Sequence, residues 1–218
     1  MDAGRAPGGL DMELLREADH RITNELSMLA AFVRLRSSEL ARRPTETGGE
    51  TVRLVLQGIL ARIEAVARLH RLLAVNGQGA AIDLGDFLHE LCAAFGDVAD
   101  AQLDLVEDFS PGCLVGPDRC LPVGQIVTEA VTNAAKHGHA PGERGRVEVG
   151  CHADLGGGIV VEVADHGAGL PESFDPSTDG GLGFRLVRGL GERIGASLTI
   201  DSSRDGLTFR LALPEPCA

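Results

Sequence analysis

Apolar residues recur in steps of three and four from Leu15 through Ala18, Ile22, Leu26 and Leu29 to Val33, which marks one stripe of an amphipathic helix. Asp11 is placed to cap its start, and the pattern carries it to about Arg43. The breaker-rich "PTETGGE" (Pro44 to Glu50) predicts a turn. A second stripe follows at Val52, Val55, Ile59, Ile63, Val66, Leu69 and Leu73, until "NGQG" ends it. Residues 10–76 therefore read as a helical hairpin. Two helices alone cannot bury two such stripes, so pairing with a second copy into a four-helix bundle, a homodimer, is expected.

From residue 80 to residue 214 the period keeps changing. "IDLGDFLHELCAAFG" reads as a short strand and a helix from about Gly85, and "QLDLVEDF" places Leu103 and Leu105 at period two. "LPVGQIVTEAVTNAAKHG" predicts a helix opening near Pro122, because proline is tolerated in a first turn. "RVEVGC" and "GIVVEVAD" alternate as neighbouring strands joined by "HADLGGG". A glycine-rich loop, a helix over about Gly183 to Ile194, and a hairpin of "ASLTIDS" and "GLTFRLAL" turning near Gly206 close the pattern. The fold class expected is α+β, a helical hairpin followed by an α/β sandwich with helices on one face of a mixed sheet.

Composition narrows what such a chain does. It is 44% apolar and 24% charged, with seven Phe and no Tyr or Trp, so the core rests on aliphatic residues. Net charge is −12 and uneven: residues 10–76 carry ten basic and nine acidic groups, and residues 77–218 carry nine basic and 22 acidic. That balance argues against nucleic acid held on a broad basic surface. No stretch approaches the ~18 apolar residues of a membrane span. "MDAGRAPGGL" lacks the features of a signal peptide. A cytoplasmic protein with reduced thiols is expected. Its five cysteines form no CxxC pair, although Cys92, Cys113 and Cys120 are candidates to approach one another.

Four groups of residues carry candidate chemistry. His20, in "READHRITNEL", is two residues from both Ala18 and Ile22, so at about 100° per residue it points away from the apolar stripe. Glu129, Asn133, Lys136 and His137 fall at i, i+4, i+7 and i+8, a polar helix face opposite Val127, Val131, Ala134 and Ala135. A carboxylate and an amide oxygen one turn apart suit Mg²⁺, and an ammonium and an imidazole can meet phosphate oxygens. Lys136 is the only lysine of the chain. Asp165, followed by Gly167 and Gly169 at a strand end, could accept a hydrogen bond from an adenine amino group. Gly180, Gly181 and Gly183 run into a helix whose first amides could meet phosphate. Neither GxxxxGK[ST] nor GxGxxG is present. Taken singly, these groups are equally explained by an exposed histidine, a solvated helix face, a turn and a helix start.

Together, in this order, "EAVTNAAKHG", "DHGAGLP" and "GGLGFRLV" resemble the N box and the two glycine boxes of the GHKL ATPases. "DHRITNEL" resembles the phosphoacceptor box of sensor histidine kinases, in the HRxKN form of the HWE-like group. The resemblance implies a kinase that phosphorylates His20 from ATP and passes the phosphoryl group to an aspartate of a response regulator receiver domain. By the same resemblance Asn133 and Glu129 would hold Mg²⁺, with Glu129 as an alternative base. Lys136, His137 and Arg185 would contact phosphates, and Asp165 would read adenine. Gly167, Gly169, Gly181 and Gly183 would hinge a lid. The short lead before the hairpin holds no sensor domain, so a separate sensor protein is expected to supply the input.

Departures keep other readings open. The basic residue and second asparagine of the phosphoacceptor box are Thr23 and Glu25, and the Trp-x-Glu element is missing. The lid, about Pro171 to Gly180, carries Glu172, Asp175 and Asp179 and no basic residue. The alternative is a histidine phosphotransferase relay with a degenerate ATP-binding domain. A serine kinase of anti-sigma type would share the ATP-binding fold and need no His20.

Overall fold

The structure, a computed structural model, describes residues 81–99, 103–139, 143–171, 173–175 and 181–215, with helical positions 30, 33, 34, 37, 52, 56, 59, 60, 63, 66 and 67 before them. After strand β1 (Ile82–Asp83), Asp83 starts helix α1 (Leu84–Ala99): its Oδ1 accepts the Gly85 N–H at 2.9 Å and its Oδ2 the Gly112 N–H at 3.0 Å. Leu84, Phe87, Leu88, Leu91, Cys92 and Phe95 form the buried face of α1. Strand β2 (Leu103–Phe109) follows, then β3 (Leu114–Val115), which pairs antiparallel with β1. Two residues carry no readable period, and β3 is absent from the sequence pattern.

Helix α2 spans Pro117–His137, five residues longer at its start than expected. Pro117, not Pro122, occupies the first turn; Pro122 lies inside the helix. Acidic Asp118 in the first turn and Lys136 in the last complement the helix dipole, and Gly138 ends the helix by donating its N–H to the Ala134 carbonyl at 2.7 Å. Strands β4 (Gly145–Ala153) and β5 (Ile159–Asp165), helix α3 (Leu182–Arg193), and strands β6 (Ser197–Ser203) and β7 (Gly206–Leu213) complete the domain.

The five-stranded sheet has the order β2-β4-β5-β7-β6. Only β2 and β4 are parallel, which the intervening α2 crossover permits; the other pairs are antiparallel. Val147, Val149, Val161, Val163, Phe209 and Leu211 turn into the core beneath the helices. Glu148, Glu162 and Arg210 alternate onto the open face, where Arg210 pairs with Glu162 across β5 and β7.

The described hairpin positions are helical. On the second predicted helix Val66 is buried and Val52 and Ile59 are half-buried, whereas Leu56, Leu60 and Ile63 are 59%, 50% and 48% exposed. Ile63, expected on the inward stripe, belongs with Leu56 and Leu60 on a second, outward apolar line. His20, Thr23 and Glu25 lie outside the described residues.

Candidate functional site

Helix α2 is the spine of the site. The polar face read at Glu129, Asn133, Lys136 and His137 is not uniformly solvated: Glu129 is 1% exposed and Asn133 is half-buried. Helix α3 supplies the cover, because a methyl group at Gly183 would overlap Glu129 Oε1. Only a glycine backbone fits that close to the carboxylate. One turn along α2, the Nδ2 of Asn133 is buried with no hydrogen-bond partner. Leaving a buried amide unmatched costs free energy of about 1–3 kcal/mol, which marks a position awaiting a polar ligand. Turning the amide over would present its oxygen instead, so the group suits a phosphate acceptor or a cation. Among the described residues no group of three His, Cys, Asp or Glu side chains is arranged for a metal.

Lys136 is half-buried and His137 exposed at the end of the helix. Partial desolvation, and then the Lys136 ammonium beside it, hold the His137 pKa below its ordinary value. The imidazole is therefore neutral at pH 7.

The first glycine loop leaves β5 at Asp165 and is held from several sides. Asp165 Oδ1 accepts the Gly167 N–H at 2.9 Å and the Leu207 N–H at 3.3 Å. Gly138, at the end of α2, packs against the Asp165 carboxyl, and a side chain on Gly167 would overlap the Gly138 carbonyl. Gly169 has φ +68° and faces the Ser203 carbonyl as closely; Gly206 has φ +137° and faces the Asp165 carbonyl. These glycines let protein backbone cross protein backbone, rather than only admitting a nucleotide ring. His166 points to the open face of the sheet, its Nε2 at 3.2 Å from Glu148 Oε1, which also accepts Arg146 Nε at 3.0 Å.

The second glycine segment is less constrained. Gly181 caps α3 without a side-chain hydrogen bond, and a methyl group there would meet nothing within 4 Å. Arg185 is exposed on the first turn of α3. Phe184 stacks obliquely between Phe174 and Phe209, each ring centroid 5.6 Å away, which ties the start of the predicted lid to the core. Glu172, Asp179 and Gly180 lie outside the described residues.

Glu129 with Gly183, and Asp165 with Gly167 through Gly138, are thus gathered along α2, with Asn133 and Lys136 on the helix between those contacts. His137 and Arg185 flank them as exposed cations or near-cations. Gly138, Ser202, Gly206 and Leu207 support the site and were not read as functional; the "RDG" turn signal at Gly206 was the one trace of them in the sequence. The described thiols are all buried. Cys113 lies beside Cys151, a neighbour from β4 that the sequence did not suggest. Burial, and secondarily the Glu107 charge, push Cys92 up to about 12, and burial also raises Cys120 and Cys151.

Comparison with known proteins gives two matched regions. The family model described as histidine kinase-, DNA gyrase B-, and HSP90-like ATPase matches residues 120–216, and a histidine kinase family model matches residues 17–99. Blue-light-activated histidine kinase 2 of Erythrobacter litoralis is 28% identical over 211 residues, covering 92% of this chain and 56% of that protein. Sensor histidine kinase PdtaS of Mycobacterium tuberculosis is 28% identical over 181 residues, covering 81% of this chain and 34% of that protein. The chain thus spans about half or less of the length of these relatives. The solved histidine kinase domain of an Erythrobacter litoralis blue-light-activated histidine kinase superposes with a TM-score of 0.69 at 25% identity, covering 93% of this chain and 91% of that one. No helix among the described residues is long and apolar enough to cross a membrane. The chain is thus similar to histidine kinases, with a region that matches a histidine kinase model followed by one that matches the histidine kinase-, DNA gyrase B-, and HSP90-like ATPase model.

Proposed function

We propose that residues 10–76 form a dimerising phosphoacceptor hairpin and residues 80–214 an ATP-binding domain that phosphorylates His20. The observation that carries this reading is the buried, unmatched Asn133 amide on α2, between the Gly183 contact at Glu129 and the Gly138–Asp165 contact. Asn133 and Glu129 would hold Mg²⁺, which when bound offsets charge on the phosphate oxygens. Asp165 would accept the adenine amino group with the carboxylate oxygen not engaged by Gly167 and Leu207. Lys136 and Arg185 supply positive charge for the phosphates, and neutral His137 supplies a ring hydrogen bond.

Phosphoryl transfer asks the protein chiefly for alignment and electrostatic stabilisation. A ring nitrogen of His20 would attack the γ-phosphorus in line; the new P–N bond forms as the bridging P–O bond to ADP breaks, and the ring proton passes to a base. Asp19 and Glu17 are the nearest carboxylates in sequence. Transfer onward would break the P–N bond and form an acyl phosphate on an aspartate of a response regulator receiver domain. The exposed Leu56, Leu60 and Ile63 line supports a second copy of the chain as the hairpin's partner. The reading places this work in the cytoplasm.

The test is incubation with γ-labelled ATP and Mg²⁺, beside His20→Ala and Asn133→Ala. Acid-labile, alkali-stable label lost in both variants is the expected result. Absence of label from ATP, with label gained only from a phosphorylated receiver, would assign the relay reading that Thr23, Glu25 and the acidic lid favour. Label retained by His20→Ala on a partner serine would assign the serine kinase.

A further inference from the structure

Ser202 lies near the end of β6, on the opposite side of the first glycine loop from α2. Its hydroxyl accepts the Leu170 N–H at 2.7 Å, across 32 residues of sequence. The same oxygen would sit 2.8 Å from a methyl group at Gly169, so it lies directly against the backbone that adopts φ +68° there. The next residue, Ser203, presents its carbonyl to Gly169, and beyond the turn Leu207 donates to Asp165 Oδ1 at 3.3 Å. The tip of the β6–β7 hairpin therefore grips both ends of the loop: Asp165 through Leu207, and Gly169–Leu170 through Ser202. On the sheet side His166 is tethered to Glu148.

We infer that Ser202 is a positioning residue for nucleotide binding, which fixes the Gly169–Leu170 backbone and so aims Asp165 at the base. The inference rests on the ATP-site reading above. Ser202 touches no nucleotide in this account; it acts through the loop. Removing the hydroxyl frees the Leu170 amide and lets the loop sample conformations in which the Asp165 carboxylate is misdirected. The cost falls on affinity, because the loop must be ordered again when the ligand binds.

The test uses the full chain, with ADP as the probe, in Ser202→Ala and Ser202→Thr. Ser202→Ala is expected to bind ADP about two- to tenfold more weakly, the size of one net hydrogen bond. The KM for ATP should rise by the same factor with kcat and the urea midpoint unchanged, and hydrogen exchange at the Leu170 amide should speed up. Ser202→Thr keeps the acceptor and should restore affinity and protection. Wild-type affinity in Ser202→Ala would overturn the inference, as would a Ser202→Thr that falls as far as the alanine. A fall in the urea midpoint without any change in KM would also overturn it, by making Ser202 merely structural. Failure of the unmodified chain to bind ADP would instead sink the ATP-site reading on which the inference stands.

Discussion

The two glycine segments look alike in sequence and differ in how the structure holds them. In "DHGAGLP" the backbone is fixed by N–H groups donated to Asp165 Oδ1 and Ser202 Oγ and by glycine-only crossings at Gly138, Ser203 and Gly206. In "GGLGF" Gly183 approaches Glu129 closely and Phe184 packs between Phe174 and Phe209, while a methyl group at Gly181 would meet nothing within 4 Å. The loop after Asp165 is thus built in advance, while the described segment at the start of α3 is held at Gly183 and Phe184 alone of its glycine and aromatic positions. A preformed loop limits the ordering cost of binding; a loose one allows the movement that delivers a phosphate to a distant histidine.

The contrast breaks most visibly at Gly169. Alanine there takes on both a left-handed backbone and an overlap with the Ser203 carbonyl, so Gly169→Ala is expected to lose about 2–4 kcal/mol of stability together with ADP binding. Urea denaturation followed by nucleotide titration checks both; an alanine variant of native stability would mean the first loop is not rigid. Asn133→Ala comes next. Its amide has no partner to lose, so stability should hold while phosphorylation falls by about a hundredfold or more. Parallel measurements of label incorporation and urea midpoint decide it, and unimpaired labelling would remove Asn133 from the site.

Gly181→Ala sharpens the other half. With φ −57° and open space around it, the substitution should leave stability within about 1 kcal/mol and ADP affinity unchanged. Turnover should fall several-fold, because the glycine's freedom serves movement of the lid. If single-turnover phosphorylation matches the parent, Gly181 is no hinge.

These differences explain what the sequence could and could not reveal. The strands and α3 were legible because alternation and three-to-four spacing record burial against one neighbour. Asp165, Gly167 and Gly183 stood out as candidates because a carboxylate at a strand end and glycines before a helix are local patterns. The burial of Glu129 was not legible: the period of α2 alone does not show that α3 lies across its polar face. The backbone crossings of Gly167 and Gly169 were not legible, because their partners Gly138 and Ser203 lie far away in sequence. The Cys113–Cys151 contact was hidden for the same reason. The start of α2 was missed because Pro122 satisfied a first-turn rule that Pro117 actually fulfils.

The smallest effect expected is a titration at the phosphate end. His137 has its pKa held below 6.5 in the free protein. In the unfolded chain it would protonate first as pH falls through about 6.5, so its contribution to stability is complete above that value. The contribution is lost as pH drops towards the lower folded value. A bound triphosphate acts in the opposite direction: its negative charge favours the imidazolium, so binding takes up a proton and affinity rises as pH falls from about 7.5 to 6. Acid should therefore weaken the empty fold and tighten the nucleotide through the same side chain. Calorimetric titration with ADP in two buffers of different ionisation enthalpy measures the proton uptake directly. His137→Asn should flatten the pH dependence of affinity. An unchanged pH dependence in His137→Asn would place His137 outside the phosphate contacts and leave Lys136 and Arg185 as the nearby cations for that end.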